Sequence, residues 1–290
     1  MDAPRSCLTV PGSSGKMLEK AVDLPADQVI LDLEDSVAAD AKDEARAMVL
    51  QALGDPRWGE RVLSVRVNVV GTPAGRADLA ALRTAPRVDT VVVPKVGAVE
   101  DVQTVVEELE GGVGVEALIE TAGGLVACES IAIASPRVAA LVFGPLDMGA
   151  SVGVHSLDGL DAEGYPGDVW HAARFRILVA ARAAGARAID GPFPVIGDVP
   201  RLREAAARSR ALGYDGKWVI HPSQIDVVNE VFTPTSDEID RALEVVRYYE
   251  EAGRGGARGA ARLGDLMVDE ASRKVADRML SRARAAGLLP

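Results

Sequence analysis

Eight short apolar runs, none with a clean in–out alternation, constrain this chain more than any other feature. They are CLTV (7–10), QVILDLE (28–34), VLSVRVN (62–68), TVVVPKV (90–96), VEALIET (115–121), AALVFGP (139–145), ARAIDGP (186–192) and KWVIHP (217–222). Runs rich in Val, Ile and Leu read as strands buried on both faces. Amphipathic segments of helical period separate them, among them AKDEARAMVLQAL (41–53), VEDVQTVVEELE (99–110) and VPRLREAAARSRAL (199–212). Eight β/α alternations predict an α/β chain closed into a (β/α)8 TIM barrel. The competing architecture, an open doubly wound sheet, needs a Gly-rich phosphate turn after its first strand. VPGSSGK (10–16) resembles one only loosely. Beyond His221 the pattern changes. SDEIDRALEVVRYYEE (236–251) reads as one long helix, GRGGARGAARLG (253–264) as a flexible hinge, and LMVDEASRKVADRMLSRARAAG (266–287) as renewed helical periodicity. The expected organisation is a barrel over 1–235 and a C-terminal helical extension over 236–290, with its hinge at 253–264 and a flap at 265–290.

Charge narrows the partners. A net charge of −11 argues against nucleic acid or an anionic membrane, so an anionic ligand must meet a local basic cluster. Two cysteines, Cys7 and Cys128, make no disulfide framework, and MDAPRSCLTVPG lacks the apolar core of a signal peptide. A cytoplasmic, membrane-free protein is the expectation.

In such a barrel, chemistry collects at the C-terminal ends of the strands. Here those ends carry Pro11-Gly12, Glu34-Asp35, Arg66-Val67-Asn68, Pro94-Lys95, Glu120-Thr121, Gly144-Pro145-Leu146-Asp147, Asp190-Gly191-Pro192 and His221-Pro222. Glu120 and Asp147 end consecutive strands and can converge. Two carboxylates completed by water and substrate oxygens suit Mg²⁺, with Mn²⁺ as a substitute, whereas no Cys/His cluster supports zinc. Each of the two could instead pair with an arginine. Arg66, ringed by valines, can clamp a substrate carboxylate or an oxyanion, or bridge to Glu34 or Asp35, or do both. His155 and His171 read as surface or packing residues in a loop-rich stretch. Lys95 reads as an ion-pair partner of the nearby acids rather than a Schiff-base lysine.

The stretch QVILDLEDSV (28–37) packs Asp32, Glu34 and Asp35 in or just beyond a buried strand, where an unpaired carboxylate is costly. Asp32 reads as structural, paired with a neighbouring lysine or with backbone. Glu34 and Asp35 emerge at the rim, where they would orient Arg66 and metal-bound water. Which of the two holds Arg66 is open.

RSCLTVPG, VILDLEDSV with Lys42, Ala45 and Arg46, LSVRVN, VVPKV, ALIETAGGL, FGPLDM, IDGPF and GKWVIHPSQIDVVNEVFTPT follow one another from Arg5 to Thr235, and LMVD recurs at 266–269. In this set and order the chain resembles the citrate lyase β-subunit/malyl-CoA lyase group of CoA-ester lyases. That group lies in the HpcH/HpaI aldolase superfamily of phosphoenolpyruvate/pyruvate-type barrels. The resemblance implies a Mg²⁺ ion on Glu120 and Asp147, with Arg66 touching the 2-oxo acid and the thioester oxygen. It places Leu146, Ile220 and His221 beside the substrate. Lys20 would bind CoA phosphate, with Lys16 and Arg5 completing a basic site, and backbone N–H groups of the Gly12–Gly15 turn adding to it. Asp269, on a C-terminal flap, would be the acid/base at the acetyl carbon. The flap would work in a neighbouring subunit of a homotrimer or hexamer. Two departures stand out. Thr9 and Ser14 replace the family's frequent aromatic and basic residues, and GDLMVDEA differs from the usual flap pattern by one inserted residue and a missing proline.

The implied reaction is reversible Claisen-type cleavage of malyl-CoA, β-methylmalyl-CoA or citramalyl-CoA. Its products are acetyl- or propionyl-CoA and glyoxylate or pyruvate. Three other readings remain: a citrate lyase β-subunit acting on a citryl thioester, a CoA-independent metal-dependent pyruvate aldolase, and a non-catalytic barrel subunit.

Overall fold

The computed structural model describes residues 4–155, 165–254 and 260–290. Two compact units divide it, one of Pro4–Asn229 and one that takes in Glu230–Pro290.

The first unit is a closed barrel of eight parallel strands in sequence order. They are β1 (Ser6–Pro11), β2 (Gln28–Asp32), β3 (Val62–Arg66), β4 (Thr90–Val93), β5 (Gly114–Ile119), β6 (Val138–Phe143), β7 (Arg187–Asp190) and β8 (Gly216–Val219). The connecting helices are α1 (Gly15–Ala21), α2 (Lys42–Leu53), α3 (Pro73–Leu82), α4 (Val99–Glu108), α5 (Ala122–Ala132), α6 (Pro145–Val152), α7 (His171–Ala183), α8 (Val199–Leu212) and α9 (Ile225–Phe232). Thr72, Thr121 and Asp198 cap α3, α5 and α8 by accepting backbone N–H groups, so short polar residues set where these helices begin. Inside the barrel Cys7, Ile30, Val92, Leu118, Ala140, Val142, Ile189 and Trp218 form one apolar cluster. Below it Gln28 Nε2 donates to Ser64 Oγ and Glu116 Oε1, and Thr90 Oγ1 donates to the same Glu116 oxygen.

All eight expected strands exist, but most stop two or three residues early. The expected ends at Pro94, Pro145, Pro192 and Pro222 carry no N–H for a ladder, so the chain leaves the sheet there and builds the rim. His171 is the first residue of α7 rather than a loop residue, and its ring stacks on Phe175 at 6.3 Å.

A buried charge network ties β7 and β8 to α7 and α8. Arg174 Nε donates to Asp190 Oδ1 (2.9 Å), while Ser209 Oγ (2.6 Å) and Lys217 Nζ (2.5 Å) donate to Asp190 Oδ2. Burial alone would raise the acid, but Arg174 and Lys217 hold it below the usual carboxylate range. The stability this supplies is present above the ordinary aspartate pKa and is lost as pH falls below it. Asp190→Asn strands two buried cations and should cost about 3–5 kcal/mol in urea unfolding.

The second unit contains α10 (Ser236–Arg254), β9 (Ala260–Leu263), β10 (Leu266–Asp269) and α11 (Glu270–Ala285). Ile239, Ala242 and Val245 of α10 pack with Val268 and with Ala276, Leu280 and Ala283 of α11. Two expectations change here. Residues 260–263, read as hinge, form a strand paired antiparallel with β10, while 255–259 lie outside the described residues. LMVD is that strand rather than the start of a helix. Gly264, at φ +59, and Asp265 form the two-residue turn that the hairpin needs. Among the described residues no helix is long and apolar enough to cross a membrane.

Candidate active site

Register assembles the first part of the site. Pro11 lies beside Asp32, and Asp32 beside Arg66, at the C-terminal ends of three adjacent strands. Arg66 Nε and Nη2 each donate to Asp32 at 2.6 Å, a bidentate clasp. Arg66 Nη1 lies 2.9 Å from Glu34 Oε2 and 3.9 Å from Asp35 Oδ2. The residue that grips Arg66 is therefore Asp32. Of the partners expected for Asp32, a lysine or backbone, the backbone contacts are present, from the Glu34 and Ser36 N–H groups, and the cation is Arg66 rather than a lysine. Asp32 also accepts from Ser36 Oγ and the Glu34 N–H. Burial opposes ionisation of Asp32, but Arg66 outweighs it and keeps the acid below its ordinary range. Burial also works against the guanidinium, and Asp32 and Glu34 hold it more firmly protonated. The Trp218 ring lies 5.6 Å from Arg66 Cζ and supports its other face. Lys42 donates to the Leu33 and Glu34 carbonyls at 2.7 Å, and so shapes the loop that carries Glu34.

The next strands bring the second part. Ile119 pairs with Phe143, so the residues that follow, Glu120 and Gly144, meet at the rim. A Cβ on Gly144 would stand 2.5 Å from Glu120 Cβ and 2.6 Å from Glu120 Oε2, so only glycine leaves the carboxylate its place. Glu120 is 3% exposed. Its Oε1 accepts the Lys95 backbone N–H at 2.9 Å. Burial first, and the nearby Asp147 second, push its pKa up to about 8. Asp147 sits in the first turn of α6, its side chain 40% exposed and one oxygen 3.9 Å from Lys95 Nζ. Lys95 Nζ is paired with Glu34 Oε1 at 2.5 Å, the ion pair expected from the neighbouring acids.

Glu120 and Asp147 thus face each other electrostatically, and among the described residues no arginine is paired with either. Among the described residues no group of three or more His, Cys, Asp or Glu side chains could hold a metal. Two hard carboxylates, one seated in the cradle left by Gly144, fit a Mg²⁺ ion that takes its remaining oxygens from water and substrate. Gly144→Ala should displace Glu120 and lower metal-dependent activity about 100-fold, the usual cost of a misplacement near 1 Å. Activity titrated against Mg²⁺ is the readout.

The basic cluster comes apart. Lys16 and Lys20 lie exposed on α1, just beyond the rim end of β1. Arg5 does not join them. It precedes β1, donates to Asp27 through Nε and Nη2 at 2.8 Å, and its carbonyl accepts the Lys217 N–H. Six strand residues, about 20 Å, separate it from the rim. The Gly12–Gly15 turn is also partly engaged, since Gly12 N donates to the Asp32 carbonyl and Ser14 N to that of Pro11.

Leu146, in the first turn of α6, and Ile220, on the loop after β8, are exposed. His221 is exposed, and its ring engages its own loop, where Nδ1 lies 2.8 Å from Ser223 Oγ and accepts the Ser223 N–H. Asp269, in the C-terminal unit, is the N-cap of α11. Its Oδ1 accepts from Ser272 N (2.8 Å) and Ser272 Oγ (2.9 Å), which hold it below its ordinary pKa.

Fold and rim together define a class: a (β/α)8 barrel with a clasped arginine and paired carboxylates suited to metal-assisted chemistry on an oxo acid. Residues 5–222 match the model of the HpcH/HpaI aldolase/citrate lyase family, and the chain belongs to that family. It is 37% identical to the L-malyl-CoA/β-methylmalyl-CoA lyase of Cereibacter sphaeroides, covering 97% of this chain and 95% of that one. To a (3S)-malyl-CoA thioesterase of the same species it is 36% identical over the same shares. It also resembles the crystal structure of CitE from Mycobacterium tuberculosis in complex with magnesium, acetoacetate and coenzyme A. That similarity has a TM-score of 0.80 at 34% identity and covers 97% of this chain and 98% of that one.

Proposed function

We propose that this chain is a magnesium-dependent CoA-ester lyase that cleaves malyl-CoA, β-methylmalyl-CoA or citramalyl-CoA to an acyl-CoA and glyoxylate or pyruvate. The observation that carries the reading is the approach of Arg66, clasped by Asp32 and Glu34, to the same rim as the neighbouring carboxylates Glu120 and Asp147. The near full-length similarity to a malyl-CoA/β-methylmalyl-CoA lyase supports the substrate class.

Glu120 and Asp147 would hold Mg²⁺, which when bound supplies a Lewis acid and a template for the hydroxyl and carboxylate oxygens of the acid half. Cleavage breaks the bond between the hydroxyl-bearing carbon and the carbon next to the thioester. The hydroxyl proton passes to water, the O–H electron pair forms the new oxo group, and the carbon–carbon electron pair becomes a thioester enolate. Arg66 supplies fixed positive charge where that negative charge develops, and the clasp by Asp32 spares it any rearrangement. Asp269 delivers a proton to the enolate carbon in cleavage and removes one in condensation. Its ionised form, favoured by Ser272, is the one that condensation requires. Lys16 and Lys20 bind the CoA phosphates. Residues 236–290 act as a catalytic extension whose flap serves the barrel of a neighbouring subunit in a homotrimer or hexamer. The buried, unpaired Cys7 and Cys128 suit a reducing cytoplasm.

The test is a panel of the three thioesters with and without EDTA. The expected result is oxo acid and acyl-CoA in equal amounts, abolished by EDTA and restored by Mg²⁺. Free CoA thiol without oxo acid would replace this reading with a thioesterase, the activity named for the relative at 36% identity. Turnover of a free 4-hydroxy-2-oxo acid alone would replace it with an aldolase.

A further inference from the structure

Lys95 stands two residues beyond β4 at φ +52, and among the described residues it is the one non-glycine with a positive φ. A side chain with a Cβ is disfavoured there, and such a conformation persists where the surroundings require it. Its consequence is visible in what the residue reaches. The backbone N–H meets Glu120 Oε1 at 2.9 Å, while Nζ meets Glu34 Oε1 at 2.5 Å. The same Nζ lies 3.6 Å from Asp35 and 3.9 Å from Asp147. One residue therefore addresses both carboxylates of the candidate metal site, one through its main chain and the other through its side chain.

The charge balance of the rim gives this a meaning. Asp32, Glu34, Asp35, Glu120 and Asp147 contribute five carboxylates, against the cations of Arg66 and Lys95. Arg66 is committed to Asp32 and Glu34. Among the described residues Lys95 is the cation that faces Asp147 and, through its charge, Glu120.

We infer that Lys95 is a positioning residue with two separable tasks. Its N–H pins one oxygen of Glu120 and leaves the other, beside Gly144, for the metal. Its ammonium acts as a resident counter-ion that opposes Mg²⁺ at Asp147. The metal-free rim is thereby kept from capturing a cation tightly on its own, and firm metal binding awaits the negative charge of the acid substrate. This rests on the metal site proposed above, and adds to it a coupling between metal and substrate binding that Lys95 sets.

Calorimetric Mg²⁺ titration of the substrate-free protein, checked by Mn²⁺ paramagnetic resonance, tests it. Lys95→Met should tighten metal binding about ten-fold, since a like charge within a few ångströms of the cation is removed. Lys95→Arg should keep the wild-type affinity. Lys95→Gly retains the N–H, suits a positive φ and also loses the charge, so it should tighten binding like Lys95→Met even if the latter folds poorly. With 2-oxo acid present, the gap between wild type and Lys95→Met should narrow. Unchanged or weaker metal binding in both Lys95→Met and Lys95→Gly would overturn the inference while leaving the metal site standing. Wild-type protein that binds no Mg²⁺ even with 2-oxo acid present, like a Glu120→Gln control, would overturn the metal site and this inference with it.

Discussion

Replacing Glu120 by glutamine should lower magnesium-dependent turnover at least about a thousand-fold while making the metal-free protein harder to unfold. The first effect removes one of the two proposed protein ligands from a cation asked to supply several kcal/mol of charge stabilisation. The second follows from the environment that makes Glu120 useful. Burial and Asp147 push its pKa up to about 8, so ionising it in the folded state is opposed. A carboxyl whose folded pKa is raised contributes stability that is complete below its unfolded pKa and is lost as pH rises toward the folded value. Between about pH 5 and 8 the metal-free protein therefore carries a growing penalty, and the neutral amide removes it. A gain of about 1–3 kcal/mol is expected at pH 7–8, and little at pH 4. Gln can still accept the Lys95 N–H through its carbonyl oxygen, so the local geometry is kept. Paired measurement of turnover and urea unfolding in EDTA checks both signs. Wild-type turnover would remove Glu120 from the metal site, and unchanged stability across pH would contradict the electrostatic account of the pocket.

This opposition between function and stability also explains which features were readable from the sequence. The eight strands were, because burial on both faces leaves an unbroken Val/Ile/Leu signature that no solvent-facing residue interrupts. Their ends were not. Leu33, Val67 and Val96 are as buried as any strand residue yet lie beyond the strand ends, so apolarity could not say where the strands stop. Glu120, Asp147 and Arg66 stood out as charges at strand ends. Asp32 was misjudged because its partner lies 34 residues away, and only the β2–β3 register brings the two side by side. Arg5 failed for the converse reason, since nearness in sequence to Lys16 and Lys20 concealed a whole strand between them. Lys95 offered its type but not its backbone. No residue pattern in VVPKV announces a left-handed lysine, and that φ is what turns its N–H toward Glu120. In the tail, glycine and arginine density read as a hinge where residues 260–263 make a strand. The turn that closes the hairpin, Gly264-Asp265, includes the one residue inserted after the glycine that set this tail apart from the usual flap pattern.

Asp269→Asn should lower turnover about 10²–10⁴-fold without weakening the fold or the binding of Mg²⁺ and acyl-CoA. The substitution separates the cap that the structure shows from the proton transfer proposed for the same carboxylate. Asp269 caps α11 by accepting from Ser272, and its proposed task is proton transfer at the enolate carbon. Asparagine caps a helix about as well as aspartate, because its side-chain oxygen accepts the same N–H, but it cannot exchange a proton in this range. Asp269→Ala removes both functions, so it should lose activity to the same extent and also lower Tm by roughly a few degrees. The two variants together therefore divide the kinetic effect from the structural one. If Asp269→Asn matches wild type in Tm and falls in turnover, the carboxylate acts chemically. Hydrogen–deuterium exchange at the acetyl carbon of acetyl-CoA gives an independent readout, since it follows proton removal without requiring the carbon–carbon bond to form, and it should vanish in Asp269→Asn. If exchange and turnover both persist while Asp269→Ala merely melts earlier, Asp269 is a helix cap and the proton must come from another group.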